Sequence, residues 1–182
     1  MTSSSQIVVG VAGRIGSGKT AVSRFVEREF GFQYLRYSQV LADWFHADPA
    51  DKVLLQSVGG QVMTGAGQHE LNRRLIAKID RLRDAVVDGL RHPVDYESLR
   101  DAFGERFFLV YVDTPAAIRF ERLIARFQTY EEFREADSRA VEAHIDSLKP
   151  LASLVLSGAA ASEQLAAAIR TFVFDFREGM VA

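Results

Sequence analysis

One octapeptide near the start of the chain restricts the fold more than any other feature. Gly13-Arg-Ile-Gly-Ser-Gly-Lys-Thr20 fits the pattern G-x-x-x-x-G-K-[ST]. It follows an unbroken apolar run, Ile7 to Ala12, and opens a segment from about Lys19 to Phe30 whose apolar residues recur at helical spacing. An apolar run rich in β-branched residues is typical of a strand buried on both faces. A strand, a glycine-rich turn and a helix in this order predict an α/β fold.

The residue types of this octapeptide also predict its chemistry. Its glycines let successive backbone N–H groups turn inward around phosphate oxygens, and the following helix adds the positive end of its dipole. In this motif the lysine reaches the β- and γ-phosphates of a nucleotide, and the last hydroxyl can ligate Mg²⁺. We therefore expect the nucleotide to be bound by Gly13, Gly16, Ser17, Gly18, Lys19 and Thr20, with Thr20 on the metal.

The overall composition excludes several other classes of protein. The 182 residues include 22 Lys+Arg and 24 Asp+Glu, so the net charge of −2 is less basic than a general nucleic-acid binder requires. The absence of cysteine excludes disulfides, thiolate catalysis and zinc–thiolate sites. No basic leader precedes the first apolar run, and no apolar stretch approaches the roughly 20 residues of a membrane span. We expect one cytoplasmic domain over residues 1–182, with no nucleic-acid or membrane partner.

Strand-like and helical segments alternate along the rest of the chain. Apolar runs predict strands at residues 32–37, 85–87, 107–112 and 151–156. Helical spacing predicts a helix at 38–45 that is capped by Ser38, a second that begins at Pro49, and a third that runs through Leu71 to Leu82. Further helices are predicted at 96–103, 114–126, 130–147 and 162–178. This alternation predicts a three-layer α/β fold built around a parallel sheet.

Two aspartates follow predicted strands and compete for a metal role. Asp88 comes directly after the apolar residues 85–87, and Asp113 ends the next strand. Open α/β sheets bind ligands at the carboxyl ends of their strands, so either carboxylate is suited to orient Mg²⁺. Asp88 is our first candidate, because Thr114-Pro115 makes Asp113 or Thr114 a plausible helix cap.

Three arginines fall on one line of the predicted helix at 114–126. Arg119, Arg122 and Arg126 are spaced i, i+3 and i+7, which places them within about 60° of one another around a helix. Such a line can form an ordinary solvated face, or it can supply the positive charge that phosphoryl transfer needs. Arg126 is our first candidate for the second role.

The octapeptide and the segment Val86-Val-Asp-Gly-Leu-Arg91 together resemble the P-loop nucleoside monophosphate kinases. The resemblance is closer to their dephospho-CoA-kinase-like, adenylate-kinase-related branch, and residues 113–122 resemble the segment that leads into the lid of these kinases. It implies a five-stranded parallel sheet in the order 2-3-1-4-5. It also implies a helical acceptor-binding insertion at about 38–82 and a short lid at about 127–147.

The same resemblance implies roles for single residues. Asp88 would orient Mg²⁺, and Arg91 would hold the phosphate of the acceptor. Arg126 would approach the transferred phosphoryl group from the lid, and the adenine of ATP would lie near Gly158. The chain departs from the family after Arg36, where the acceptor-binding segment carries no further arginine, and the lid is shortened.

The expected acceptor follows from the need for a base. A hydroxyl acceptor must lose a proton, so its kinases generally position a carboxylate, whereas a phosphate acceptor is already ionised. Dephospho-CoA kinases, as the resemblance implies, place an aspartate just after the second strand; here Ser38 and Gln39 stand there, with Asp43 a turn later. We expect an ATP- and Mg²⁺-dependent transferase that phosphorylates a nucleoside or deoxynucleoside monophosphate. A hydroxyl-acceptor kinase and a non-catalytic nucleotide sensor remain the alternatives.

Overall fold

The computed structural model describes residues 6–48, 54, 58–60, 62, 66–138 and 144–179. Five parallel strands form one sheet in the order β2-β3-β1-β4-β5. The strands are β1 (Val8–Ala12), β2 (Gln33–Arg36), β3 (Ala85–Leu90), β4 (Phe107–Asp113) and β5 (Leu154–Ser157). The predicted α/β class, the parallel sheet and the strand order are confirmed.

Helices cover both faces of this sheet. Those with described bounds are α1 (Lys19–Phe30), α2 (Tyr37–Phe45), α3 (Ala66–Ala77), α4 (Pro93–Phe103), α5 (Ala116–Arg122), α6 (Tyr130–Asp137) and α7 (Ser162–Arg177). Short 3₁₀ turns lie at Gly104–Arg106 and Lys149–Leu151. Within the described residues, no helix combines the length and the apolar character needed to cross a bilayer.

The hydrophobic core lies in two layers, one on each side of the sheet. Helices α1 and α7 pack on one face through residues such as Val26 and Ile169. Helices α2, α3 and α4 pack on the other face through Leu41, Leu75 and Leu99. Because β1 lies in the middle of the sheet, all five of its residues are buried. The turn that follows β1 therefore stands at the centre of the carboxyl edge.

Several predicted boundaries are wrong at the ends of elements. Strand β2 ends at Arg36 and α2 begins directly at Tyr37, so Ser38 lies inside the helix and does not cap it. Helix α3 ends at Ala77, which leaves the side chain of Leu82 93% exposed rather than in the core. The helix predicted from Pro49 begins outside the described residues.

Two further corrections concern the second half of the sheet. Strand β5 begins at Leu154, because Lys149–Leu151 forms a 3₁₀ turn. The N-cap of α5 is Pro115, and no side chain bonds to the first turn of this helix, so neither Asp113 nor Thr114 caps it. The helix ends at Arg122, four residues before Arg126, which removes Arg126 from the predicted line of arginines.

Candidate active site

The turn between β1 and α1 adopts a backbone that only glycine accommodates. Gly13 has φ 151° and Gly16 has φ 77°. A Cβ atom on Gly16 would lie 2.8 Å from the Leu123 side chain, and one on Gly13 would lie 2.6 Å from the carbonyl oxygen of Val112. The turn is therefore pressed against its surroundings on the outer side, and side chains at these positions would displace it.

Side chains of the β4–α5 region hold the carbonyl groups of this turn. The Thr114 hydroxyl donates to the carbonyl of Ser17 at 2.8 Å, and Arg119 Nη1 donates to that of Ile15 at 3.2 Å. Arg122 Nη1 also reaches the carbonyl of Ser17, at 3.2 Å. In a trans peptide the N–H points opposite to its C=O. The N–H groups that follow Ile15 and Ser17 are thus directed away from α5, as a phosphate cradle requires.

Thr20 and Asp88 meet at the carboxyl edge of the sheet. The Thr20 hydroxyl donates to Asp88 Oδ2 at 2.9 Å, and the Tyr34 hydroxyl donates to the same oxygen at 2.7 Å. Arg36, which pairs with Asp88 in the β2–β3 register, places its Nε 3.6 Å from that oxygen. The other carboxylate oxygen, Oδ1, is buried and has no hydrogen-bond partner among the described residues.

This arrangement fits a nucleotide-bound Mg²⁺. In proteins Mg²⁺ keeps several waters and is held by one or two carboxylates together with substrate phosphates. The Thr20 hydroxyl and the unpartnered Oδ1 of Asp88 are oxygen donors of this kind. No cluster of three metal-ligating side chains occurs in the parts of the chain that are described, so such a metal would depend on the phosphates for its remaining ligands.

The competing carboxylate, Asp113, is occupied elsewhere. Its Oδ2 lies 2.7 Å from Lys149 Nζ, and both side chains are about half exposed. Of the two aspartates that the sequence singles out, Asp88 is the one that contacts Thr20.

Arg91 leaves the end of β3 with an exposed side chain. Its backbone N–H donates to Asp95 Oδ2 at 2.9 Å, whereas its guanidinium makes no hydrogen bond or ion pair with the described residues. An exposed cation three residues after Asp88 is available to a ligand at the same edge of the sheet.

The arginines of α5 support the turn instead of forming a free line. Arg119 is 4% exposed and binds both carboxylate oxygens of Asp137, at 2.5 and 2.8 Å. Arg122 Nη2 donates to the carbonyl of Gly158 at 2.6 Å. Arg126 lies beyond the helix, exposed, with its guanidinium 5.3 Å from the Phe127 ring centre. The prediction that these three arginines form one line on a helix is therefore wrong. The role of Arg126 in phosphoryl transfer stays a prediction.

Gly158 lies beside the same turn. It is buried, and a Cβ atom there would meet the Thr114 hydroxyl at 1.9 Å and the carbonyl of Ser17 at 2.7 Å. The end of β5 is therefore in direct contact with the turn at residues 13–18, the candidate phosphate cradle. The position of the adenine near Gly158 stays a prediction.

Arg14, at a variable position of the motif, joins the cradle to the segment after α5. Its Nε and Nη2 bind the two oxygens of Asp146 at 2.8 and 2.6 Å, and its Nη1 lies 3.0 Å from Asp137 Oδ2. The hydrogen bond from Arg14 lowers the pKa of Asp146. Burial acts to raise the pKa of Asp137, but hydrogen bonds from Arg119 and Arg14 outweigh it and lower that pKa. These contacts have no sequence signal, because Arg14 and Asp146 are 132 positions apart.

Sequence reasoning also missed Tyr34 and Arg36. The two residues alternate along β2, so they share one face of the strand and both reach Asp88 on the neighbouring strand. Burial and the hydrogen bond to Asp88 raise the pKa of Tyr34, which keeps its hydroxyl protonated as a donor. The available signal was the period-2 placement of polar groups in a strand adjacent to β3.

A cleft of about 490 Å³ opens on the β2 side of Asp88. It lies between β2, α1, α2 and the segment after α3, and its charged and aromatic lining consists of Arg24, Tyr34, Arg36, Asp43 and Lys78. The Asp43 carboxylate is bound by Lys78 and by Gln39, both at 2.9 Å. Of the other two cations in the lining, Arg24 is paired with Glu27, and Arg36 lies 3.6 Å from Asp88.

The chain is similar in sequence to UPF0200 proteins. It is 29% identical over 141 residues to a UPF0200 protein of Aeropyrum pernix, an alignment that covers 74% of this chain and 73% of that protein. It is 26% identical over 186 residues to a UPF0200 protein of Thermococcus gammatolerans, covering 96% and 97% of the two chains. No family model matches the chain.

Several solved structures with a similar backbone are kinases. A sugar kinase from Janibacter sp. superposes with a TM-score of 0.67 at 19% identity, covering 93% of this chain and 95% of that one. Shikimate kinase from Acinetobacter baumannii gives 0.64 at 16% identity, with 95% and 96% covered. The APS kinase of Mycobacterium tuberculosis gives 0.62 at 19% identity, with 93% and 98% covered. The chain therefore has the fold of P-loop small-molecule kinases.

Proposed function

We propose that this protein is a kinase that transfers the γ-phosphoryl group of Mg·ATP to a nucleoside or deoxynucleoside monophosphate. The observation that carries the acceptor assignment is the distribution of charge around Asp88. The guanidinium of Arg91, three residues after Asp88, makes no hydrogen bond or ion pair with the described residues, while the carboxylates of Asp43, Asp113 and Asp146 are each paired with a cation.

The donor side rests on the cradle and its two oxygen donors. Lys19 and the N–H groups of the turn would bind the β- and γ-phosphates, with Thr20 and Asp88 on the metal side. Mg²⁺ held there by Thr20 and Asp88 would supply charge neutralisation for the phosphates during transfer. The contribution of the chain is to position the donor and to provide fixed positive charge, so transfer is direct and in line, without a covalent intermediate on the protein.

On the acceptor side, Asp43, Asp113 and Asp146 are all engaged by cations, so none of these three carboxylates is a free base. A general base works best with a pKa near the operating pH. Hydrogen bonds from Gln39 and Lys78 lower the pKa of Asp43, which lies in the predicted acceptor-binding insertion, and this makes Asp43 a poor base. A monophosphate is already ionised and needs none. Its oxygens match the planar forks of Arg91 and Arg36, and the cleft lined by Arg36 offers room for the rest of the molecule.

A hydroxyl acceptor is the second candidate. It is favoured by the similar solved structures, which are named as kinases of a sugar and of shikimate. At 19% and 16% identity these names bear on the fold, so we place this candidate second.

A coupled ADP-release assay over a panel of acceptors tests the proposal. The panel holds the nucleoside and deoxynucleoside monophosphates together with glucose, gluconate and shikimate, each with Mg·ATP. We expect ADP release to depend on a monophosphate and to fall by about 10²–10³ in Lys19→Ala, since one preorganised charge is lost. Release that requires a hydroxyl compound contradicts the acceptor assignment. If the protein binds ATP but releases no ADP in the presence of any acceptor of the panel, the non-catalytic nucleotide sensor is favoured.

A further inference from the structure

A buried carboxylate at the start of α4 accepts more hydrogen bonds than capping that helix requires. Asp95 is 1% exposed. Its Oδ2 accepts the backbone N–H groups of Arg91 at 2.9 Å and of His92 at 3.0 Å. Its Oδ1 accepts the side-chain amides of Asn72, at 2.8 Å, and of Gln68. The bond to the N-cap residue His92 completes a capping box, and the other three bonds serve something else.

The donors to Asp95 are neutral amides, so the network fixes the positions of these groups and does not neutralise the carboxylate. Burial raises the pKa of Asp95, and the hydrogen bonds from Arg91, Asn72, Gln68 and His92 oppose that rise. A buried carboxylate with four donors and no cation is costly unless each bond is kept. Loss of a single donor or acceptor should therefore shift the segment of chain to which that group belongs.

The network joins the segment after β3 to the helices on the acceptor side. Gln68 and Asn72 lie one turn apart on α3, and Asn72 also accepts a hydrogen bond from the Tyr37 hydroxyl at the start of α2. Tyr37, Gln68 and Asn72 are all buried. Helices α2 and α3 and the backbone of Arg91 are thus held in one arrangement by side chains that no ligand reaches.

The four residues from Asp88 to Arg91 are pinned at both ends. Asp88 is held by Thr20 and Tyr34, and Arg91 is held through its N–H by Asp95. Between them Gly89 adopts φ 91°, and the β1–β3 register shifts at this point. The separation between the metal-side carboxylate and the guanidinium stem is therefore set from two sides.

We infer that Asp95 is a positioning residue for Arg91, fixing the stem from which that guanidinium reaches the phosphate of the acceptor. The inference rests on the proposed function, because the acceptor role of Arg91 belongs to it. Displacement of a reacting group by about 1 Å can cost on the order of 10²-fold in rate. A shifted stem affects the acceptor, whereas the ATP cradle is attached to other elements and keeps its geometry.

Asp95→Asn tests the inference with a side chain of the same shape. An amide nitrogen cannot accept, so one of the two pairs of donors loses its partner. With the monophosphate that gives the highest kcat/KM in the panel, we expect the acceptor KM to rise about tenfold, with the KM for ATP unchanged. Tyr37→Phe is the control: it breaks the outer end of the network without touching Asp95, and its acceptor KM should stay within about twofold.

A double-mutant cycle separates positioning from general stability. Arg91→Ala alone should raise the acceptor KM, and Asp95→Asn should add nothing in that background. An equal rise from Asp95→Asn with and without Arg91 overturns the inference, as does a lowered Tm with an unchanged KM. If Arg91→Ala itself leaves the acceptor KM unchanged, it is the proposed function that fails.

Two further measurements test the inference when no acceptor is present or when Asp95→Asn does not fold. Hydrogen exchange at the amides of Arg91 and His92 needs no acceptor, and it should be faster in Asp95→Ala, which removes both acceptor oxygens, than in the parent protein. Equal protection overturns the inference. If Asp95→Asn does not fold, Gln68→Met removes one donor to Oδ1 and should raise the acceptor KM in the same direction by a smaller factor, an effect that must also vanish when Arg91 is alanine.

Discussion

Arg119→Met would remove a buried guanidinium that joins three parts of the molecule. Its Nε donates to the carbonyl of Thr114 at 2.9 Å, and its Nη1 donates to that of Ile15 in the cradle at 3.2 Å. Both terminal nitrogens bind the carboxylate of Asp137. Methionine retains an unbranched stem of similar length, so the variant loses mainly the charge and the hydrogen bonds.

The loss of stability in Arg119→Met depends on the burial of the Arg119–Asp137 ion pair and on Arg14, which still contacts Asp137 after the change. Removing one member of a buried ion pair costs about 3–5 kcal/mol. The side chains of Arg119 and Asp137 are 4% and 14% exposed, and Arg14 still lies 3.0 Å from Asp137 after the change. We therefore expect the lower end, about 3 kcal/mol. For a chain of this size about 1 kcal/mol shifts Tm by roughly 2–4 °C, so Tm should fall by about 6–12 °C.

Thermal unfolding followed by far-UV circular dichroism measures this effect, and Arg126→Met is the matched control. Arg126 is exposed and lies beyond α5, so its replacement should change stability by no more than about 0.5 kcal/mol. Stabilisation by ADP should also weaken in Arg119→Met, because the carbonyl of Ile15 loses its donor. Tm values for the two variants that agree within about 2 °C would refute the structural role of Arg119.

Three further predictions concern the carboxyl edge and the cradle. Tyr34→Phe removes one donor from Asp88, and the Mg²⁺ concentration needed for half-maximal rate should rise several-fold in a magnesium titration, while an unchanged titration contradicts the orienting role. Arg91→Lys keeps the charge but loses the planar fork, so initial-rate kinetics should show a higher KM for the acceptor with kcat spared. The pKa values of Asp137 and Asp146 lie below their unfolded value of about 3.9, so both carboxylates stabilise the fold above that pH and lose the contribution as pH falls through the folded values. Urea unfolding from about pH 6 to about pH 3 should show that loss, and a flat profile contradicts it.

The parts of the fold that local sequence determines could be predicted. Strand β1, its glycine turn and α1 follow from an apolar run, backbone freedom at Gly13 and Gly16, and helical spacing, all within about 25 residues. Asp88 could be placed at the carboxyl edge because it directly follows apolar strand residues. The strand order came through resemblance to a family, since periodicity alone does not order parallel strands.

The parts that depend on distant partners could not be predicted. The spacing of Arg119, Arg122 and Arg126 fits one helix, but the chain leaves helical geometry at Leu123, whose side chain packs against Gly16 of the cradle. Arg119 is buried because Asp137 and the carbonyl of Ile15 lie beside it in the fold, and nothing in its local spacing encodes them. In the sequence, a polar residue that will contact a loop carbonyl has the same helical spacing as one that will face solvent.

The identity of the bond formed tests the central claim most directly. The parent protein is incubated with Mg·ATP and the preferred acceptor, and the products are followed by ³¹P NMR. Transfer to a monophosphate turns its phosphate ester into a phosphoanhydride. We therefore expect the ester signal of the acceptor to be consumed and the coupled diphosphate signals to integrate to two molecules, ADP and the new diphosphate, for each ATP used, with both changes strongly slowed in Lys19→Ala. A new uncoupled phosphate-ester signal would mean a hydroxyl acceptor, and it would contradict the account.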